Sequence, residues 1–287
     1  MLEPDGYGAG VGQDHPDSQA WSKYIMGTAI ESSLSLLAPP YEIILPVPPE
    51  DAIPNNPKIL WGAALIWAIG TGREREILPV VAGRPGGVPL MIILPEASRI
   101  QENLDLLLEA NEVARPTAVL PHHPAPDPEE LAGLLRDEPK DLSGELVDYL
   151  RWRGLSMSQE LRHTVRQVCD LAEHTTTLAG LCRSMYISRR ALGRRFRKAS
   201  LPVPSHWLQF CRLLRASLRL QNSTGTLFDI ARRFNYADGF TLSNQMFRLL
   251  GTRPSMVRDH FGWEWLVESW LIREAEYGNV DLPSRRK

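Results

Sequence analysis

The stretch S-R-R-A-L-G-R-R-F-R-K-A, Ser188 to Ala199, decides how this chain is read. Wound as a helix, it separates into two faces. Ile187, Leu192, Phe196 and Ala199 fall on one apolar stripe. Arg189, Arg190, Gly193, Arg194 and Arg197 lie away from it, with Arg195 and Lys198 toward the flanks. Ser188 suits the N-cap, where a hydroxyl accepts from a free backbone N–H of the first turn. A solvated basic face is the plain explanation. Solvated faces mix signs, however, and this one holds six cations and no carboxylate. Unbalanced like charge weakens a helix, so a helix that keeps it points to an anionic partner, with duplex DNA the obvious one.

The flanking sequence extends the pattern. Thr177-Leu178 opens a short apolar-periodic segment through Leu181, Cys182 and Met185, ending at Tyr186-Ile187. Two short helices with a tight turn, the second basic, is the layout of a helix-turn-helix. A second copy follows about fifty residues on. Thr226 with Asp229 makes a capping-box-like start. Ile230, Ala231 and Phe234 are its inward positions, Asn235 to Gly239 its turn, and Leu242, Met246, Leu249 and Leu250 the inside of its second helix. Cys182 corresponds to Ala231, Leu192 to Leu242 and Phe196 to Met246. Between the copies, Val203 to Leu220 reads as one long helix with Trp207, Phe210, Cys211 and Leu214 for packing.

With these residues in place, Leu161 to Phe261 resembles the DNA-binding domain of AraC/XylS-type transcription regulators. The likeness rests on Leu178, Leu181, Met185, Ile187-Ser188, Leu192 and Phe196 in the first half. Arg212 and Ala216 carry it through the connecting helix, and Ile230-Ala231, Gly251 and Pro254 through the second half. Departures are Asn235-Tyr236 for the usual Gly-Phe, aliphatic Leu242, Met246, and Arg253 before the proline. Asn tolerates the left-handed conformation of a turn glycine, so the first departure is mild. The resemblance implies an all-α domain with two helix-turn-helix motifs that reads the major groove. It places Arg190, Gly193 and Arg194 at base-reading positions of the first motif, and Gly239, Phe240 and Asn244, beside Thr241, at those of the second. Arg194 would fork onto guanine O6 and N7, worth ~1–3 kcal/mol of discrimination. Arg189 and Arg197, with Ser188, Ser243 and Arg248, would grip phosphates. Gly239 has no side chain to read with and Phe240 offers only apolar contact, so the first motif is expected to carry most discrimination.

Charge supports the division. The net charge of −2 splits into −13 over residues 1–175, +12 over 176–260 and −1 beyond. A basic block marks a nucleic-acid footprint, and the acidic block is expected to stay off the phosphates. Nineteen of the 23 prolines precede residue 151, which puts a domain boundary near 145–160. The absence of a run of eighteen apolar residues argues against a membrane span. No basic-then-apolar leader opens the chain. Cys169, Cys182 and Cys211 sit at apolar helix positions and read as core residues of a reduced, cytoplasmic protein.

In chain order, residues 1–18 are polar, Gly-rich and expected to be disordered. The spacing of Trp21, Tyr24, Ile25, Ala29 and Leu36 predicts a helix over Gln19 to Leu37. Residues 19–150 then read as an acidic α/β domain. Strands are predicted at Glu42 to Leu45, Lys58 to Trp67, Pro89 to Leu94 and Thr117 to Leu120. Helices are predicted at Glu74 to Ala82, Ile100 to Ala114 and Pro128 to Arg136. Such alternation implies a parallel sheet covered on both faces. Its order and length loosely resemble a response-regulator receiver domain. The strand ends Leu45-Pro46, Leu94-Pro95-Glu96 and Leu120-Pro121 hold no phosphoacceptor Asp, so any receiver here is degenerate and not phosphorylated.

Other chemistry finds little purchase. Gly70-Thr71-Gly72 and Gly83 to Gly87 lack a following Gly-Lys-Ser/Thr and the third glycine of a dinucleotide fingerprint, and read as turns. His122-His123 could touch a metal, but adjacent histidines point apart and have no Cys or His partner nearby, so a plain loop is favoured. Neither a cofactor nor a metal is expected. Leu161 to Glu173 is the first helix of the DNA-binding domain, 158–262. In the remaining 263–287, Trp263, Trp265, Leu266, Trp270, Leu271 and Ile272 alternate with glutamates. They serve either packing on the chain's own surface or a dimer or polymerase contact, and Ser284 to Lys287 forms a basic end.

The resulting expectation is a bacterial-type, sequence-specific regulator and not an enzyme. Double-stranded DNA is its partner, with a homodimer through the N-terminal domain and an RNA polymerase contact as further partners. Two alternatives stand beside it: a small-molecule or nucleotide-binding enzyme domain fused to a DNA-binding module, and an RNA-binding protein that borrows the fold.

Overall fold

The computed structural model describes residues 33–283 apart from 40, 54–59, 61 and 125. The expectations for 1–18, most of the helix over 19–37 and the basic end at 284–287 lie outside the described residues. Five strands, β1 Leu34–Leu37, β2 Ile44–Pro46, β3 Ala64–Ala68, β4 Leu90–Ile93 and β5 Ala118–Leu120, form one sheet in the order β2-β1-β3-β4-β5. β3, β4 and β5 are parallel, joined by crossover helices α1 Glu74–Ala82 and α2 Leu104–Ala114. β1 runs antiparallel to both neighbours.

The sheet is therefore mixed, which corrects the all-parallel expectation and removes the ground for a receiver likeness. The cause is local. A parallel pair needs a crossover of about a dozen residues, and the link from Ala38 to Ile43 is too short, so β1 and β2 close as a hairpin. The end of the helix expected over Gln19 to Leu37 is corrected as well, because Leu34–Leu37 is β1. All four of its residues, Ser35 included, are buried, and a run this short carries no period to separate strand from helix.

Side chains alternate across β3. Leu65 and Trp67 pack with Ile77 and Val81 of α1 and Ala110 and Ala114 of α2. Ala64, Ile66 and Ala68 pack with Leu131, Ala132 and Leu135 of α3 Pro128–Arg136. Both faces are thus covered, as the continuous apolar strands demand. The C-termini of α1 and α2 converge on Arg84, which is fully buried. Its guanidinium donates to the carbonyls of Val81, Val88, Ala114 and Arg115 at 2.6–3.1 Å and lies 4.5 Å from the Trp152 ring centre. The last carbonyls of a helix lack intrahelical partners and carry partial negative charge. Two helix ends together accommodate a cation that burial would otherwise forbid.

The described residues that follow are helical: α4 Leu142–Trp152, α5 Gln159–Leu171, α6 Leu178–Ser184, α7 Arg189–Lys198, α8 Pro204–Gln221, α9 Leu227–Arg233, α10 Gly239–Leu250, α11 Pro254–His260 and α12 Trp263–Glu276. Leu146, Tyr149 and Leu150 of α4 share one core with α5 and the helices that follow. α8 is the central rod. Its Trp207 and Phe210 rings meet Trp270 of α12 edge-on at 4.6 Å and stacked at 4.1 Å.

α12 is a wedge between the sheet and the helices. Trp263, Leu266, Val267, Trp270 and Leu271 are buried, so packing within the chain is the role its tryptophans have. Trp265 touches both cores and donates to Ala63 O at 3.3 Å. Three of the four glutamates of α12, Glu264, Glu268 and Glu274, are buried with it. Glu264 accepts from Arg115 Nη1 at 2.6 Å and the Thr117 hydroxyl at 3.1 Å. Glu268 accepts from Arg153 Nε at 3.0 Å and the Tyr149 hydroxyl at 2.7 Å. Burial, reinforced by Glu268 and Glu264, pushes the Tyr149 hydroxyl well above its usual pKa, so it stays a donor. Glu274 is held by Trp270 Nε1, Asn279 Nδ2 and the His206 ring at 2.9–3.1 Å.

Candidate nucleic-acid interface

Two helix pairs hang on α8, and their backbones repeat each other. In the first, the Thr177 hydroxyl accepts from Gly180 N to cap α6, and the Ser188 hydroxyl accepts from Ala191 N to cap α7, both at 3.1 Å. The turn between them passes through Tyr186 at φ +52° and closes with Ile187 N donating to Cys182 O at 3.0 Å. In the second, Thr226 and Asp229 form a reciprocal capping box on α9, and the Asp238 carboxylate accepts from Thr241 N at 2.7 Å to cap α10. Its turn passes through Asn235 at φ +58° and closes with Tyr236 N donating to Ala231 O at 2.8 Å. The left-handed turn expected of Asn235 is observed. Tyr186 holds the same conformation, which costs a residue with a Cβ roughly 1–2 kcal/mol.

Neighbouring helices fix both pairs. Arg195, on the flank of α7, pairs with Glu160 of α5 at 2.6 Å and donates to the Thr164 hydroxyl at 3.1 Å. Arg212 of α8 lies 4.8 Å from the buried Tyr236 ring and pins the second turn. Arg273 of α12 donates to Arg248 O at 3.3 Å, at the end of α10. There Gly251 takes φ +71°, and a Cβ on it would collide with the Arg273 guanidinium.

With Leu192 and Phe196 buried, α7 turns Arg190, Arg194 and Arg197 outward in one i, i+4, i+7 row. They, Arg189 and Lys198 are exposed, and among the described residues none has a carboxylate within ion-pair distance. Gly193 lies beside the row, and a Cβ built on it meets nothing within 4 Å. Ser188 is exposed, its oxygen engaged by the cap.

On α10, Leu242, Met246 and Leu250 are buried. Phe240, Thr241 and Asn244 are exposed and Ser243 is half-buried. Gly239 packs close to Leu227. Arg248 is exposed, its guanidinium resting on the Gln209 and Gln245 side-chain oxygens at 3.0 Å, so its charge is uncompensated. Exposed aromatics to which the sequence reading gave no role include Tyr186, 98% exposed, Phe228, 55%, and Phe247, 56%. Aligning the pairs on Leu192 and Leu242 would have found Phe247, because it then stands where Arg197 does.

Thr226 donors hold the Asp229 carboxyl below the usual aspartate range, and the Thr241 amide does the same for Asp238. Elsewhere, the Gly70 and Gly72 amides, of the kind a phosphate cradle needs, are taken up by Glu74 Oε1 at 2.7 and 2.9 Å. Among the described residues no group of three His, Cys, Asp or Glu is placed to hold a metal, and no helix is long and apolar enough to cross a membrane.

Residues 181–260 match a family model described as a helix-turn-helix domain. The match supports an AraC-family DNA-binding domain there, and with it a DNA-binding transcription regulator. No curated protein and no solved structure matches the chain.

Proposed function

We propose that this chain is a sequence-specific transcription regulator that holds one face of a DNA duplex with two helix-turn-helix units, α6–α7 and α9–α10. The two units sit about one helical turn (~34 Å) apart along the duplex. The single observation that carries the reading is the row Arg190, Arg194 and Arg197: exposed, without carboxylate partners among the described residues, on a helix capped by Ser188 and braced through Arg195. Arg190 and Arg194 read base edges with the backbone at Gly193 close to the groove, and Arg189, Arg197, Ser188, Ser243 and Arg248 grip phosphates. Phe240, Thr241 and Asn244 read the second half-site.

The acidic sheet unit is a regulatory or dimerisation module that undergoes no aspartyl phosphorylation. Exposed Leu104 and Leu108 on α2 and Val119 on the edge strand β5 support a contact with a second copy, and a polymerase contact falls to the surface left free when DNA is bound. A cytoplasmic location accords with three buried free thiols.

Affinity for random duplex and for single-stranded and duplex RNA, titrated with salt, tests the proposal. The expected result is a steep salt dependence, set by the number of phosphates neutralised, and poor competition by RNA. RNA competing as well as duplex DNA would overturn it.

A further inference from the structure

The two outward rows occupy the same places on the same backbone and carry different chemistry. With Leu192 set on Leu242 and Phe196 on Met246, Arg190 falls on Phe240, Arg194 on Asn244 and Arg197 on Phe247. Each of the three cations in that row is an uncharged side chain on α10, while Lys198 at the end of α7 keeps a cationic counterpart in Arg248. Two of the three are phenylalanines with no core to fill, Phe240 being 75% exposed and Phe247 56%. Apolar rings so exposed at i and i+7 of one helix, with an amide between them, make an apolar strip with a single polar centre. The Arg253 guanidinium lies 5.9 Å from the Phe247 ring centre, so the strip is bordered by positive charge.

We infer that α10 is a reader of A·T pairs: Phe240 and Phe247 contact thymine C5-methyl groups, and Asn244 forks onto adenine N6 and N7. The inference rests on the DNA-binding reading of α7 and α10 and gives the operator a definite make-up. In the major groove only thymine offers a methyl, and an amide side chain matches the donor–acceptor pair of adenine as a guanidinium matches the two acceptors of guanine. The protein thus recognises a composite site, a G-containing half under α7 and an A/T half under α10. The basic border of α10 suits a polyanion better than an apolar protein groove, and this favours the duplex as the occupant of the strip.

Selection of duplexes from a random pool by the full-length protein, followed by uracil substitution, tests it. Two constrained blocks about one helical turn apart are expected, one requiring G and the other A and T. Replacing thymine by deoxyuridine in the A/T block removes one methyl at a time. Each contacted methyl should cost about fourfold in affinity, the worth of one buried CH₂-sized group. Phe240→Ala and Phe247→Ala, at exposed positions that leave the core intact, should each abolish the penalty at its own base. Asn244→Ala should erase the penalty for 7-deazaadenine.

Deoxyuridine without effect, or equal uracil penalties in wild type and both phenylalanine variants, would overturn the inference. So would full DNA affinity in both variants with loss of a protein partner instead. Failure to enrich any duplex would count against the DNA-binding reading itself, whereas enrichment of a G block alone would sink only the assignment of α10.

Discussion

The first and second helix pairs share turns, caps and buried positions and differ in how they are tied to the rest of the molecule. α7 is braced by α5 through Arg195 and Glu160, within the helical core. α10 is braced by Arg273 of α12, and α12 in turn is fastened to the sheet unit through Glu264–Arg115 and Trp265–Ala63. α7 is therefore linked to the sheet unit through α5 and then α4, whose Tyr149 hydroxyl accepts from Gly87 N at 2.8 Å, while α10 is braced by a helix that itself touches the sheet. A repeat that looks symmetrical along the chain is asymmetrical in space, because a different helix outside the repeat supports each copy.

The largest predicted effect cuts that support. Glu264→Ala leaves Arg115 nearly buried with only the half-exposed Glu145 opposite it, and should cost about 3–5 kcal/mol in chemical denaturation. In conditions where the variant remains folded, protection of α10 amides should fall more than that of α7. Equal loss in both would show that the tether does not act as described.

Next is Arg194→Ala, predicted to lose about 1–3 kcal/mol on the preferred duplex and to relax one or two base pairs in the first half-site. Selectivity unchanged at every position would remove Arg194 from the reading row. Arg190→Ala and Arg197→Ala would sharpen the comparison, since a true phosphate contact lowers the salt slope by about one while a base contact relaxes sequence.

Acid should separate the pairs as well. Caps of the first are the hydroxyls of Thr177 and Ser188, which do not titrate there, whereas the second relies on Asp229 and Asp238. Both carboxyls have pKa values lowered on folding. Their contribution is full above the unfolded aspartate value of about 3.8 and is lost as pH falls through the lower folded value. Amide exchange at low pH should therefore accelerate at the starts of α9 and α10 before those of α6 and α7. The smallest effect concerns Gly193→Ala, which should stabilise α7 by roughly 0.5–1 kcal/mol, as its Cβ meets empty space, while weakening DNA binding if the backbone there approaches the groove closely. Tighter binding would place Gly193 away from the duplex.

What could be read from residues alone followed from period. The stripes of α7, α8 and α10 have phase, those of α7 and α10 have caps as well, and the structure places Leu192, Phe196, Trp207, Leu242 and Met246 in one core. Residues 34–37 offered four buried positions without phase, and a neighbour's link length decided their fate. α12 was opaque for another reason. Its Glu264 and Glu268 look like a solvated face until Arg115 and Arg153, more than a hundred positions away, supply the partners that bury them. Phe247 was missed because a lone phenylalanine in a helix suggests interior, and only its register against α7 shows it facing out.

The likeness to a known domain stops at residue 260, but the fold does not. Trp270 sits against Trp207 and Phe210 of the central rod, and Trp265 lies in contact with both interiors. A gene fragment trimmed to the homologous segment would yield a reading head with its hydrophobic seam laid open, prone to clump before it met an operator. Recombination that grafts this segment onto another unit has to carry the closing helix along, and with it a surface already cut to fit the original sheet.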